Sequence, residues 1–337
     1  MPELYPWQRF HWNSLMASQA RKRMPHALLL AGPVGMGKRD FAANLVQALS
    51  CEDPQEGGQG CGFCSGCRLQ RAGSHPDNMN LFPQEGRQTI SVDQIRQVQT
   101  HLALKARQSN VKTVTILPAE AMTLNAANSL LKVLEEPPGK TVLILVTAIV
   151  SRLPMTIRSR CQRLLFSPPH QEEAQLWLRQ RLPSSREREL KILLTLVGGA
   201  PLRALQYAEQ DFLSLRKHFI KNLFFLAQDK ADPLEIAQNH LKNDLGEPLY
   251  WMSTLVGDIL RLKSGTSGKF LVNHDIADSL QLLAERTDFK MLFALLEKID
   301  RDLWLWKGQI SVNPQLLLEG LLIQWFWCFS EVNHEYT

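Results

Sequence analysis

The run Gly-Pro-Val-Gly-Met-Gly-Lys at residues 32–38 constrains this chain more than any other feature. It follows the apolar stretch Ala-Leu-Leu-Leu-Ala at 27–31 and precedes a segment with Phe41, Leu45 and Leu49 at helical spacing. Strand, glycine-rich turn and helix, in that order, are the context in which G-x-x-x-x-G-K cradles phosphate. Glycines let the backbone turn so that its N–H groups face phosphate oxygens, the helix N-terminus adds partial positive charge, and the lysine adds a full one. An α/β domain is therefore predicted. Gly32, Gly35, Gly37 and Lys38 are its candidate phosphate-binding residues.

The positions that would complete a hydrolytic site are altered. A Ser or Thr after the lysine normally ligates magnesium through its hydroxyl. Arg39 stands there and has only donors to offer. A second apolar strand is predicted at 114–117, where an aspartate for magnesium and a glutamate for water would follow. Pro118 and Ala119 follow instead, and Glu120 comes late enough that its carboxylate is expected to point elsewhere. A vestigial phosphate loop without hydrolysis is the first reading, with occupancy by ATP or ADP left open. An independent ATPase with rearranged acidic residues is the alternative.

A further helix is predicted from Ser91, with Gln94 completing a capping box and Ile95, Val98 and Leu102 on its apolar side. Another strand is expected at 142–146, after a helix that carries Leu130, Leu131 and Leu134 and stops before Pro137 and Pro138. Pro168 and Pro169 suggest a domain boundary. The expected layout is an α/β domain at 1–168, a small helical lid at 169–207 and an all-α domain at 208–337. Asn313 and Pro314 cap the last long helix. Its apolar run at 316–329 is short and interrupted by Glu319 and Gln324, so a buried helix is expected rather than a membrane span. Trp304, Trp306, Trp325 and Trp327 lie among leucine-rich helices, the final pair without the basic interleaving of a base-stacking surface, and are assigned to core or subunit packing.

Cys51, Cys61, Cys64 and Cys67 form C-x9-C-x2-C-x2-C, a spacing that lets four thiolates surround one zinc ion. Residues 51–67 are read as a zinc module with a structural role, because four sulfur ligands leave no open coordination position. An iron–sulfur cluster is the second metal reading, and reduced surface thiols are the non-metal one. Cys161 and Cys328 are expected to be buried thiols. The first twelve residues are polar and mixed, unlike a secretory leader, so a cytoplasmic location is expected. The formal charge of +5 is spread along the chain; Arg21, Lys22 and Arg23 are its densest early run, and a solvated face explains them as well as a DNA contact does. The cysteine cluster lacks the adjoining basic helix of a stand-alone DNA-binding zinc module.

Several blocks together resemble the bacterial clamp loader subunits of the AAA+ family, in their non-motor, delta-prime form. They are the loop at 32–38, the cysteine cluster, Ser74-His75-Pro76-Asp77, Asn-Ser-Leu-Leu-Lys-Val-Leu-Glu-Glu-Pro-Pro at 128–138, and Ser159-Arg160-Cys161. The resemblance implies an AAA+ domain with a zinc-binding insertion, a helical lid, and a helical collar that joins a five-subunit ring. Its partners would be motor subunits of the gamma or tau type, a clamp-opening delta subunit, and, through the complex, the sliding clamp and primer-template DNA. It also implies that Arg160 acts in trans on a neighbouring subunit's ATP, with Arg158 as interface support. The family's sensor threonine matches Thr147. Its sensor arginine falls on Leu202, and Arg203 is one residue, roughly 100° of helix, away. Intrinsic ATPase or polymerase activity is not expected. A DNA-directed DNA polymerase label would describe membership of the holoenzyme.

Overall fold

The computed structural model describes residues 3–240, 245–307 and 313–330. The chain divides into two compact units, Met1–Ala174 with Ala200–Arg203, and Gln175–Gly199 with Ala204–Thr337.

In the first unit, helix α1 (Arg9–Ala20) precedes strand β1 (Ala27–Ala31). Then come α2 (Lys38–Ser50), α3 (Ser65–Arg71), β2 (Asn78–Leu81), α4 (Val92–Ala103), β3 (Lys112–Ile116), α5 (Leu124–Glu135), β4 (Thr141–Thr147), α6 (Met155–Arg158) and β5 (Gln162–Leu165). Among the described residues the strands form one sheet in the order β2-β3-β4-β1-β5, with every pair parallel. Parallel neighbours need crossovers, and the intervening helices supply them. The three central strands are buried along their whole length, which is why two of them read as continuous apolar runs. Leu29, Val114, Ile116, Leu143 and Leu145 of the sheet share one core with Ile95, Val98 and Leu102 of α4 and Leu130, Val133 and Leu134 of α5. The predicted capping box forms: Ser91 accepts from the Gln94 N–H, and the Gln94 side chain accepts from the Ser91 N–H.

The second unit is helical. Helices α7 (Gln171–Arg179) and α9 (Pro201–Glu209) each straddle the division between units, and α8 (Leu190–Leu196) lies wholly in the second. Then follow α10 (Phe212–Ala227), α11 (Pro233–His240), α12 (Gly246–Lys263), α13 (Ala277–Arg286), α14 (Phe289–Lys307) and α15 (Pro314–Phe329). Trp325, Leu318, Leu255, Leu292 and Phe219 are buried in its core, and the Trp325 indole N–H donates to the Leu223 carbonyl. Trp304 and Trp327 are exposed, so the packing assignment holds within the chain for Trp325 and not for those two. Arg216 is buried and pairs with Asp275 at 2.8 Å while donating to Asn273, which in turn donates to buried Asp258. No helix among the described residues is long and apolar enough to cross a membrane.

A buried carboxylate fixes one loop of the first unit. Asp77 precedes β2 and accepts N–H groups from Arg107, Gln108 and Ser109, each at 2.8 Å. Burial alone would raise its pKa; those three donors and the Ser109 hydroxyl outweigh it and hold the carboxyl at about 2. A depressed carboxyl stabilises the fold above its unfolded pKa and loses that contribution as pH falls through the folded value. Asp77 is thus expected to contribute about 2 kcal/mol at neutral pH, lost between roughly pH 4 and pH 2. Asp77→Asn should lower the thermal midpoint of the full chain at pH 7 and flatten its dependence on pH in that acid range, as read by circular dichroism.

Candidate functional site

Strand β1 ends at Ala31, beside Thr147 at the end of β4. The chain leaves the sheet through Gly32, where a Cβ would fall 2.1 Å from the Phe166 carbonyl oxygen. Gly35 and Gly37 have φ of +85° and +73°, backbone that L side chains rarely adopt. Gly37 caps α2 and packs against the Tyr5 ring, which a Cβ would meet at 2.5 Å. The loop thus has the predicted strand, turn and helix setting.

The lysine of this loop folds back onto it. Lys38 Nζ donates to the carbonyls of Gly32 and Pro33, both at 2.6 Å. Burial pushes its pKa down to about 8, against the attraction of the Glu120 carboxylate, which raises it. Other loop carbonyls are also taken. The Gln8 amide donates to Met36 and Gly37, the Trp7 indole donates to Met36, and the Leu202 N–H donates to Gly35. Tyr5 reaches over α2 to donate to Asp40.

At the positions where the sequence pattern places the magnesium and water ligands stand Arg39, Pro118 and Ala119. Arg39 is exposed and lies 5.8 Å from the Phe82 ring centre. The last β3–β4 pair is Ile116 with Leu145, and Pro118 and Thr147 each lie two residues past it. Buried Ala119 follows. Glu120 turns toward this edge, contrary to the sequence expectation: one carboxylate oxygen accepts the Ala148 N–H at 2.9 Å. Its other oxygen is buried without a partner. Thr147 is buried and its hydroxyl accepts the Ile149 N–H.

Arg160 follows the short helix α6. Its side chain is 37% exposed, and its guanidinium pairs with Glu135 at 2.6 Å while donating to the Thr156 carbonyl at 3.1 Å. Arg158, by contrast, is half-buried, with its Nε buried and unpartnered.

The four cysteines converge at the far end of α2. Cys51 caps that helix, Cys64 caps α3, and all four sulfurs lie within 4.8 Å of one another. Cys51 and Cys64 sulfurs are 3.9 Å apart. Thiolates held at about 2.3 Å around one tetrahedral ion stand about 3.8 Å apart, so the cluster could hold a metal ion. Backbone N–H groups point at the sulfurs: Cys61 to Cys51, Phe63 and Cys64 to Cys61, and Cys67 to Cys64. Donors from Phe63 and Cys64 push the Cys61 thiol down to about 7, whereas burial pushes Cys51 up to about 12. Gly66 lets α3 approach the end of α2, since a Cβ there would fall 2.2 Å from the Ser50 carbonyl oxygen. Cys161 and Cys328 are buried free thiols, raised to about 11 by burial.

The curated relatives agree with this frame over nearly the whole chain. DNA polymerase III subunit delta' of Pseudomonas aeruginosa is 34% identical over 96% of this chain and 98% of its own length. The chain belongs to the DNA polymerase III subunit delta' family. The Escherichia coli member of that family is 33% identical over 95% of this chain and 94% of its own, and the Bacillus subtilis member 30% over 96% of each. Residues 7–170 match the family model described as DNA polymerase III, delta subunit, and residues 210–326 the one described as DNA polymerase III, delta subunit, C terminal.

Sequence reading missed the support that Tyr5, Trp7 and Gln8 give to the loop, because a mixed segment with no period carries no sign of where it packs. Gly37→Ala tests that support. The left-handed backbone and the Tyr5 contact are expected to cost about 1–3 kcal/mol. Urea unfolding of the full chain should show it as a lower midpoint.

Proposed function

We propose that this chain is a non-motor subunit of a clamp loader, contributing to the loading of the sliding clamp onto primed DNA during replication. Its own nucleotide site is degenerate, and its Arg160 is supplied to the ATP of a neighbouring motor subunit. The observation that carries this reading is the contrast at one sheet edge and one helix end. Pro118 and Ala119 stand where catalytic acids belong, while Arg160 is held partly exposed by Glu135. A guanidinium supplied in trans stabilises charge on the transferred phosphoryl group without needing any acid of its own subunit.

On this reading the Gly32, Gly35, Gly37 and Lys38 cradle is a retained frame. The Leu202 N–H and the Lys38 ammonium satisfy its carbonyls from within. Residues 1–168 form the AAA+ domain, 169–207 the lid and 208–337 the collar of a five-subunit ring. Partners are gamma- or tau-type motor subunits and a delta-type subunit, with the clamp and primer-template DNA reached through the complex in the cytoplasm. The ion at Cys51, Cys61, Cys64 and Cys67 is a structural zinc, matched by four sulfurs and an N–H shell that favours thiolates.

Two measurements check the reading. Reconstituted with motor and clamp-opening subunits, Arg160→Ala should assemble normally and lose roughly tenfold or more of the DNA-dependent ATPase at the site it serves. An unchanged rate in a fully assembled complex would refute the role of Arg160. Elemental analysis of the purified chain should find one zinc ion, lost in Cys64→Ser. Chelation should expose residues 51–71 to proteolysis while β1 and α2 stay protected.

A further inference from the structure

Glutamates are poorly placed at the carboxyl end of a helix, where the backbone already carries partial negative charge. Helix α5 ends on Glu135, followed by Glu136, with Lys132 the basic residue of its last turn. Something other than helix stability accounts for a carboxylate there. Glu135 lies 2.6 Å from the Arg160 guanidinium, across from α6.

The approach of these two side chains is set by the core beneath them. Leu130 and Leu134 of α5 share one apolar cluster with Ile157 of α6 and with Cys161, the residue after Arg160. Burying Ile157 and Cys161 leaves Arg160 on the rim, next to the last residue of α5. The guanidinium is then held at two points, by Glu135 through one terminal nitrogen and by the Thr156 carbonyl through the other. An arginine side chain free in water samples many rotamers, and fixing it before an anion arrives removes that ordering cost from the later step.

We propose that Glu135 is a positioning residue for Arg160, holding the guanidinium oriented for a phosphate presented by another subunit. This deepens the reading of Arg160 given above and rests on it. The two blocks, Leu-Glu-Glu-Pro-Pro at 134–138 and Ser-Arg-Cys at 159–161, then act as one device. A half-exposed ion pair contributes little to stability, so removing the carboxylate leaves the fold and assembly intact.

The test uses the reconstituted complex with wild-type chain, Glu135→Ala, Glu135→Gln, Arg160→Ala and the double variant Glu135→Ala with Arg160→Ala. Thermal melting and gel filtration establish that each assembles. Glu135→Ala is expected to lower the DNA-dependent kcat about threefold with KM for ATP unchanged, the size of effect an exposed pair can exert. Glu135→Gln should recover most of the rate, because its amide oxygen still accepts from Arg160. The double variant should be no slower than Arg160→Ala, since the carboxylate acts only through the arginine. Glu135→Ala at the wild-type rate beside a slow Arg160→Ala overturns the inference and leaves the role of Arg160 standing, and so do losses that multiply in the double variant. A wild-type rate for Arg160→Ala removes the role of Arg160 itself, and the inference with it.

Discussion

The ladder between β1 and β4 is the constraint on which the amino-terminal unit depends. Five residue pairs, from Ala27 with Leu143 to Ala31 with Thr147, run through the middle of a sheet buried on both faces. Once these strands are paired, the chain leaving β1 must turn over the carboxyl edge past Phe166, where only glycine fits. That turn starts α2 at Lys38, and α2 carries Cys51 at its far end. Loop, helix and cysteine cluster therefore follow from one set of hydrogen bonds. Short contacts made possible by Gly37 and Gly66 fix their positions.

The neighbouring β3–β4 pairing likewise rests on the strands and not on the residues that follow them. The β3–β4 register runs from Lys112 with Thr141 to Ile116 with Leu145, and Pro118 and Thr147 each lie two residues past its end. Pro118 and Ala119 follow β3 at that edge, and the strands beneath pair without them. Lys38, Gln8 and Leu202 meet the exposed carbonyls of the loop. Arg160 sits over the α5 and α6 packing around Leu134 and Ile157, in the same apolar core as Leu29 and Ala31 of β1. Its guanidinium is held by Glu135 and the Thr156 carbonyl, neither of them in the phosphate loop, as the proposed division of labour requires.

Most of the central architecture is legible in the sequence because it rests on patterns with a period. The strands include the unbroken apolar runs at 27–31 and 142–146, α4 has its capping box, and α5 stops before Pro137 and Pro138. The cysteine spacing gives the cluster directly, and the four sulfurs do converge. The edge strands are not legible: β2 reads Asn-Met-Asn-Leu, and β5 exposes Gln162, Arg163 and Leu165. Edge position relaxes the demand for apolar residues, and the strand signal goes with it. Long-range polar contacts are equally silent. Nothing local ties Asp77 to the backbone of 107–109, Arg216 to Asp275, or Glu120 to Ala148. Those pairings are decided by the fold and become visible only with it.

The central claim is that this subunit contributes to ATP hydrolysis through Arg160 and not through its own phosphate loop. Parallel rate measurements on reconstituted complexes carrying Lys38→Met or Arg160→Ala address it most directly. The account predicts wild-type DNA-dependent ATPase for Lys38→Met and a large loss for Arg160→Ala. The reverse pattern, loss with Lys38→Met and no change with Arg160→Ala, would contradict it.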